Sequence, residues 1–270
     1  MEANTYFDSI IIPRVKKTAF ASKWQAGRPK SKDSMSQIFK YLRVESYEDA
    51  LNNLALRSHA NVASATSDFS RDYMLRYWLD LETKGSPSLL NIEQFSDPTA
   101  YKLNVKKFGT DEYFEKSVDL IETFNWLIGL HVEHLDRWRG YEAAFKREVD
   151  PELPDDTCTR LMIEGSLKET DDGAWRFRKI EGYTLRTPGD QSDRERTLVI
   201  WRKLTGDLEQ DNLMLDEWFR KYRLSAQDTE FDIIYVNGSN NLPNLRKDEE
   251  TWKVRLIEEA FHQAMWDVGG

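Results

Sequence analysis

The sequence predicts a mixed α/β protein, with a helical middle region and a C-terminal α/β part built around a strand-helix-strand unit. Three observations predict it. Residues 197–201 and 231–236 are short apolar, β-branched runs of the kind that parallel sheets bury on both faces, and an amphipathic stretch over 212–222 separates them. That order implies a parallel crossover unit. Wide apolar stripes run through 69–81 and 112–129 at three- and four-residue spacing, the mark of helices that must pack. Finally, a strand-like run at 38–44 leads into a helix start at Ser46.

Taken in order, residues 2–17 begin like the end of a strand and continue as helix, with Asp8 near its start and Lys16 and Lys17 near its end, where they complement the helix dipole. Pro13 interrupts a regular helix and fits the first turn of a second one, or a kink. Gly27, Pro29, Ser31, Ser34 and Ser36 make 25–37 a polar loop. Ser46 opens a capping box with Asp49, so the next helix starts at Tyr47; such a cap is worth about 0.5–2 kcal/mol. Asp68 caps another helix, on which Phe69, Tyr73, Tyr77 and Leu81 form one stripe that Met74, Leu75 and Trp78 widen.

A third helix is predicted over 112–129 from Phe114, Val118, Ile121, Phe124 and Ile128. From 132 to 187 the pattern shortens into strands separated by turns, clearest at 161–163 and 175–183. Thr205-Gly206-Asp207 reads as a helix entry with an N-cap. Asn237-Gly238-Ser239-Asn240-Asn241 reads as a turn supplying positive φ, although open α/β sheets also place ligands just after a buried strand. A last helix over 248–267 would put Trp252, Leu256, Ala260, Phe261, Ala264 and Met265 on its core face. These elements divide the chain into 1–58, 59–130 and 131–270.

At 270 residues the chain can bury a sizeable core. Its apolar runs, such as 10–12 and 127–130, fall far short of the roughly 20 residues that cross a bilayer, and no leader pattern opens it. A cytoplasmic location without a membrane partner is therefore expected. Cys158 is the only cysteine, which excludes an internal disulfide and a thiolate-rich zinc site. A net charge of -9 argues against nucleic-acid binding by the whole surface. The average hides an asymmetry: through Arg43 there are nine basic residues against three acidic, or +6, which leaves -15 for the remainder.

Within the basic part, Trp24, Arg28, Lys30 and Lys32 combine a ring that can stack on a base with cations that can position phosphates. The plainer reading is a solvated loop with one anchoring tryptophan. His131 and His134 flank Glu133 with metal-like spacing, but no third ligand stands near them, so they read as surface or capping histidines and no metal is expected. No Gly-x-Ser-x-Gly nucleophile context and no Gly-x-Gly pair occurs.

Residues 39–54 (FKYLRVESYEDALNNL) resemble a block in the modification subunits of type III restriction-modification systems, which methylate adenine in DNA at N6. Residues 2–17 (EANTYFDSIIIPRVKK), 72–91 (DYMLRYWLDLETKGSPSLLN), 118–130 (VDLIETFNWLIGL), 198–208 (LVIWRKLTGDL) and 231–245 (FDIIYVNGSNNLPNL) are similar to further segments of that family, in the same order. The resemblance implies S-adenosylmethionine as methyl donor, a target adenine turned out of the duplex, a second methyltransferase subunit, and a companion restriction subunit with helicase and nuclease activity. Glu2 falls where the family places an acidic residue on the cofactor's ribose. The family's base-gripping motif is acidic-proline-proline-aromatic. The nearest match, Asp97-Pro98-Thr99-Ala100-Tyr101, lacks the second proline and carries its ring one place too far, so it reads as a turn.

The chain is therefore expected to be the C-terminal part of such an enzyme, cut out of a longer polypeptide. Its expected role is structural, assembling or DNA-positioning, with no catalytic residue and no activity alone. The alternative is a pure docking module for the restriction subunit or for methyltransferase dimerisation, its acidic remainder and terminal strand-helix-strand unit forming the surface.

Overall fold

The computed structural model describes residues 6–31, 33–34, 37, 39–42, 95–106, 110, 112–149, 159–246 and 252–266, and divides into two units, Met1–Glu45 and Ser46–Gly270.

In the first unit a π-helical turn, Phe7–Ile11, passes into α1 (Ile12–Phe20). Pro13 sits just after the π-helical turn, inside helical backbone that runs unbroken from Tyr6 to Phe20, so it removes one backbone donor from that run. No residue of α1 is buried. The stretch expected to be loop contains a minimal hairpin, β1 (Trp24–Gln25) with β2 (Arg28–Pro29). Ala26 and Gly27 turn it at φ 48° and 74°, the two positive angles that a two-residue connection needs to match strand twist. The expected strand at 38–44 is not found over its described residues 39–42; Tyr41 instead lays its ring on Phe7, 5.2 Å between centroids. The helices expected from Ser46 and Asp68, together with Cys158, lie outside the described residues.

Among the described residues of the second unit an antiparallel pair comes first, β3 (Lys102–Lys106) and β4 (Tyr113–Ser117), followed by α2 (Leu120–Leu127). A single helix over 112–129 is thereby corrected. Residues 113–117 give their backbone bonds to β3, and Asp119 starts the helix by accepting from Glu122 N at 3.0 Å. Phe114 and Val118 share helical spacing with Ile121 by coincidence of period.

Five strands come next: β5 (His131–Leu135), β6 (Arg139–Val149), β7 (Thr159–Glu169), β8 (Trp175–Leu185) and β9 (Arg194–Lys203). Then follow α3 (Leu208–Lys221), β10 (Ile233–Val236), β11 (Val254–Leu256) and α4 (Ile257–Trp266). The strands form one mixed sheet in the order β11-β10-β9-β8-β6-β7, with β5 also on β8. β9, β10 and β11 run parallel, so the predicted strand-helix-strand unit is present; β9, β8, β6 and β7 alternate in direction. Strands in 132–187 are thus longer than the pattern suggested. β5 comes close enough to β8 that a Cβ on Gly182 would lie 2.2 Å from His131 O.

Side-chain alternation along β9 explains the layers. Leu198 and Ile200 face Met214, Leu215 and Trp218 of α3, whereas Val199 and Trp201 face Phe124 of α2 and Ile257 and Phe261 of α4. All four β9 residues are fully buried. Covering both sheet faces is why the run reads as unbroken apolar sequence, each large side chain contributing about 1.5–3 kcal/mol.

The last predicted helix also changes. Residues 254–256 pair in parallel with β10, so their backbone bonds go to the sheet and α4 begins only at Ile257. Trp252, expected in the core, is 46 % exposed, while Ala260, Phe261 and Met265 do pack inward. No helix among the described residues is long and apolar enough to cross a membrane.

Candidate functional site

In the first unit, the basic hairpin presents three of the five residues singled out for binding. Trp24 is half-buried, and its indole N–H donates to Ala21 O at 2.7 Å and Lys17 O at 3.0 Å, closing the end of α1. Lys17 Nζ lies 5.8 Å from the same ring. The tryptophan thus anchors the hairpin to the helix, leaving Arg28 and Lys30 exposed. Beside them, the Asp33 carboxyl is held well below the usual range by the Ser22 and Ser31 hydroxyls and the Ser22 N–H. Glu2 and Lys32 lie outside the described residues.

In the second unit, polar chemistry concentrates where β9 and β10 end. Arg202 lies on the α3 side of β9 and is 1 % exposed. Its Nε donates to Asn237 O at 2.8 Å, Nη1 to Asp211 O at 3.0 Å and Nη2 to Ser239 O at 2.6 Å. Burial pulls its pKa down to about 10, against the opposing charges of Asp211, Glu258 and Asp216, so it stays charged at neutral pH. Asn237, fully buried, completes the junction by donating to Phe95 O at 3.0 Å and Arg202 O at 2.8 Å.

The entry to α3 is stapled by a second buried charge. Asp211 accepts from Thr205 N at 3.0 Å, from the Thr205 hydroxyl at 2.8 Å, from Gly206 N at 3.3 Å and from Trp175 Nε1 at 3.0 Å. Asp207 caps the helix by accepting from Gln210 N at 3.1 Å. Both glycine-containing segments bend the chain at positive φ, with Gly206 at φ 95° and Gly238 at φ 74°.

The Arg202 junction supports one wall of an open cleft of about 830 Å³. Ser239 and Asn240 come from the loop after β10, Trp252 from the approach to β11, and Glu259 and Gln263 from α4. Asn244 lies across the sheet edge, donating to Val254 O and accepting from Val254 N, both at 2.9 Å. Its amide stands in for a neighbouring strand. Amides, one indole, one cation (Arg255) and one anion (Glu259) line the cleft beside apolar side chains such as Leu242, Val254 and Leu256.

The other sequence candidates have structural employment. Asp97 accepts from Thr99 N at 3.1 Å and the Thr99 hydroxyl at 2.6 Å, Ala100 N donates to Asp97 O at 3.1 Å, and Lys203 Nζ reaches Asp97 Oδ2 at 2.7 Å. This is a turn, with Tyr101 buried behind it. His131 stacks on Tyr183 at 4.8 Å, with Arg194 4.2 Å from the same tyrosine ring. Both His131 and His134 belong to β5 rather than to a helix end. Among the described residues no three His, Cys, Asp or Glu side chains converge as metal ligands.

Sequence reasoning passed over Arg202, Asp211 and Glu258. A signal for the first existed, since an arginine directly after four buried residues in Leu198-Val199-Ile200-Trp201 needs acceptors in the interior. Compared with protein-family models, curated proteins and solved structures, the chain matches none.

Proposed function

We propose that this chain is the C-terminal, assembling and DNA-positioning part of a type III modification methyltransferase acting on adenine N6 in the cytoplasm. S-adenosylmethionine is the methyl donor of the whole enzyme, and the partners are DNA, a second methyltransferase subunit and the restriction helicase-nuclease subunit. One observation carries the reading: two segments that resemble this family, 198–208 and 231–245, supply the buried parallel strands β9 and β10 and the Arg202–Asn237 junction between them. The resemblance thus falls on framework, and framework residues support assembly.

The exposed Arg28 and Lys30 add cations that can position a phosphate backbone. A docking module without DNA contact is the second reading, favoured by the charge of -15 carried beyond Arg43.

Incubating the purified chain with duplex DNA and methyl-labelled S-adenosylmethionine, alongside light scattering and salt-dependent DNA titration, tests these readings. No methyl transfer, self-association and salt-sensitive DNA binding are expected. Label in duplex adenine with the chain alone would overturn the assembly reading, and absent DNA binding beside retained association would leave the docking module.

A further inference from the structure

The loop after β10 is held from two sides. Arg202 donates to Asn237 O and Ser239 O from beneath, while Gly238 N donates to Glu258 Oε1 at 2.7 Å. Glu258 is the second residue of α4, so that bond ties loop to helix. The loop gives Ser239 and Asn240 to the cleft, and α4 gives it Glu259 and Gln263. Glu258 Oε2, by contrast, is shielded from solvent and has no hydrogen-bond partner.

We propose that the Glu258 carboxyl is a proton-operated latch on the cleft: neutral, it holds residues 237–240 against the start of α4, and ionised, it lets that loop loosen.

The argument is one of donor supply. An ionised carboxylate buried in protein needs donors for both oxygens, and here only one is served. Arg202, the cation that acts on Glu258, points four of its five side-chain N–H groups at Asn237 O, Asp211 O, Ser239 O and, at 3.5 Å, Asn212 Oδ1. Water supplies the donors that the interior does not give Glu258 Oε2, so ionisation favours conformers in which the carboxylate swings outward and releases Gly238 N. The loop then loses one of its ties.

The surrounding charges act in the same framework. Burial pushes the Glu258 pKa up, its own backbone N–H, the Gly238 N–H and Arg202 pull against that in this order, and Glu259 beside it adds to the rise. Asp211 and Asp216 of α3 lie beyond Arg202, His262 stands one turn further along α4, and α2 faces α4 with Phe124 against Phe261.

The test is a pH series on the isotopically labelled whole chain, following the Gly238 amide resonance and the Glu258 carboxyl carbon. Both are expected to titrate together, with one midpoint above the value of about 4.3 for a free glutamate. Amide protection at Gly238 and Ser239 should fall about tenfold across that step. Glu258→Gln, which keeps the acceptor and removes the proton, should abolish the step and stay protected throughout, while Glu259→Gln should keep the step with its midpoint moved down, because the neighbouring negative charge is gone. An unchanging Gly238 amide, a step that survives in Glu258→Gln, or a Glu258 carboxyl titrating at an ordinary midpoint overturns the latch. The carboxyl reading needs no variant, so the outcome does not depend on Glu258→Gln folding.

Discussion

Arg202 and Asn237 clasp each other across two parallel strands: Arg202 N donates to Asn237 Oδ1 at 2.7 Å, Asn237 Nδ2 donates to Arg202 O at 2.8 Å, and Arg202 Nε donates to Asn237 O at 2.8 Å. An asparagine side chain thus continues the ladder past the last residue of β10. The guanidinium serves the helix entry and the cleft loop from one buried position.

Replacing Arg202 by alanine leaves the Asn237, Asp211 and Ser239 carbonyls short of a donor, which costs about 3 kcal/mol or more. Urea denaturation measures it. Combined with Asn237→Ala, the two losses should be non-additive by about 0.5–3 kcal/mol, because each removes part of the same network. Strict additivity would show that the two residues act independently.

Asp211→Ala deprives Thr205, Gly206 and Trp175 of one shared acceptor and should cost about 2 kcal/mol or more. The Trp175 indole N–H resonance should shift at the same time. A loss of stability with that resonance unmoved would mean the staple is not the cause.

Gly206→Ala and Gly238→Ala both force a side chain into positive φ, at about 1–2 kcal/mol each. Around Gly206 the space is open, whereas a Cβ on Gly238 would meet Leu204 Cδ1 at 2.7 Å and Arg202 Nη2 at 3.3 Å. The second substitution should therefore be the more destabilising. Equal melting temperatures for the two variants would contradict the crowding beside Arg202.

Acid stability has an identifiable contributor in Asp136. Burial raises its pKa, but the Arg139 side chain, the Arg137 N–H and nearby Lys179 outweigh it and hold the carboxyl low. A depressed native pKa means stability that is present above the unfolded value of about 3.9 and lost as pH falls through the native one. Asp136→Asn should flatten that part of the acid limb while leaving the neutral region lower. Glu258 acts in the opposite sense, its raised pKa giving stability that is lost as pH rises through the native value. Glu258→Gln should remove that second slope alone.

Charge reversal at Lys30 and Lys32 tests the DNA-facing reading of the basic hairpin. If both touch phosphates, binding to any duplex should weaken and the salt slope should drop by about 2. Unchanged affinity and slope would return the hairpin to solvent, with Trp24 serving only to close α1.

What the sequence determined by itself was the centre of the fold. The β-branched runs around Leu198 and Ile234 specify strands buried on both faces, and the stripe of α3 between them specifies a parallel crossover, because each pattern repeats with the period of its own element. Caps such as Asp207 were equally legible, since a capping bond spans only three residues. Tertiary structure decided the rest. Residues 113–117 and 254–256 carry helix-like spacing yet became strands because β3 and β10 offered partners for their backbone groups, a choice no local window contains. The same holds for the Arg202 junction. Its acceptors, Asp211, Asn237 and Ser239, are scattered along the chain, and only folding brings those carbonyls around one guanidinium.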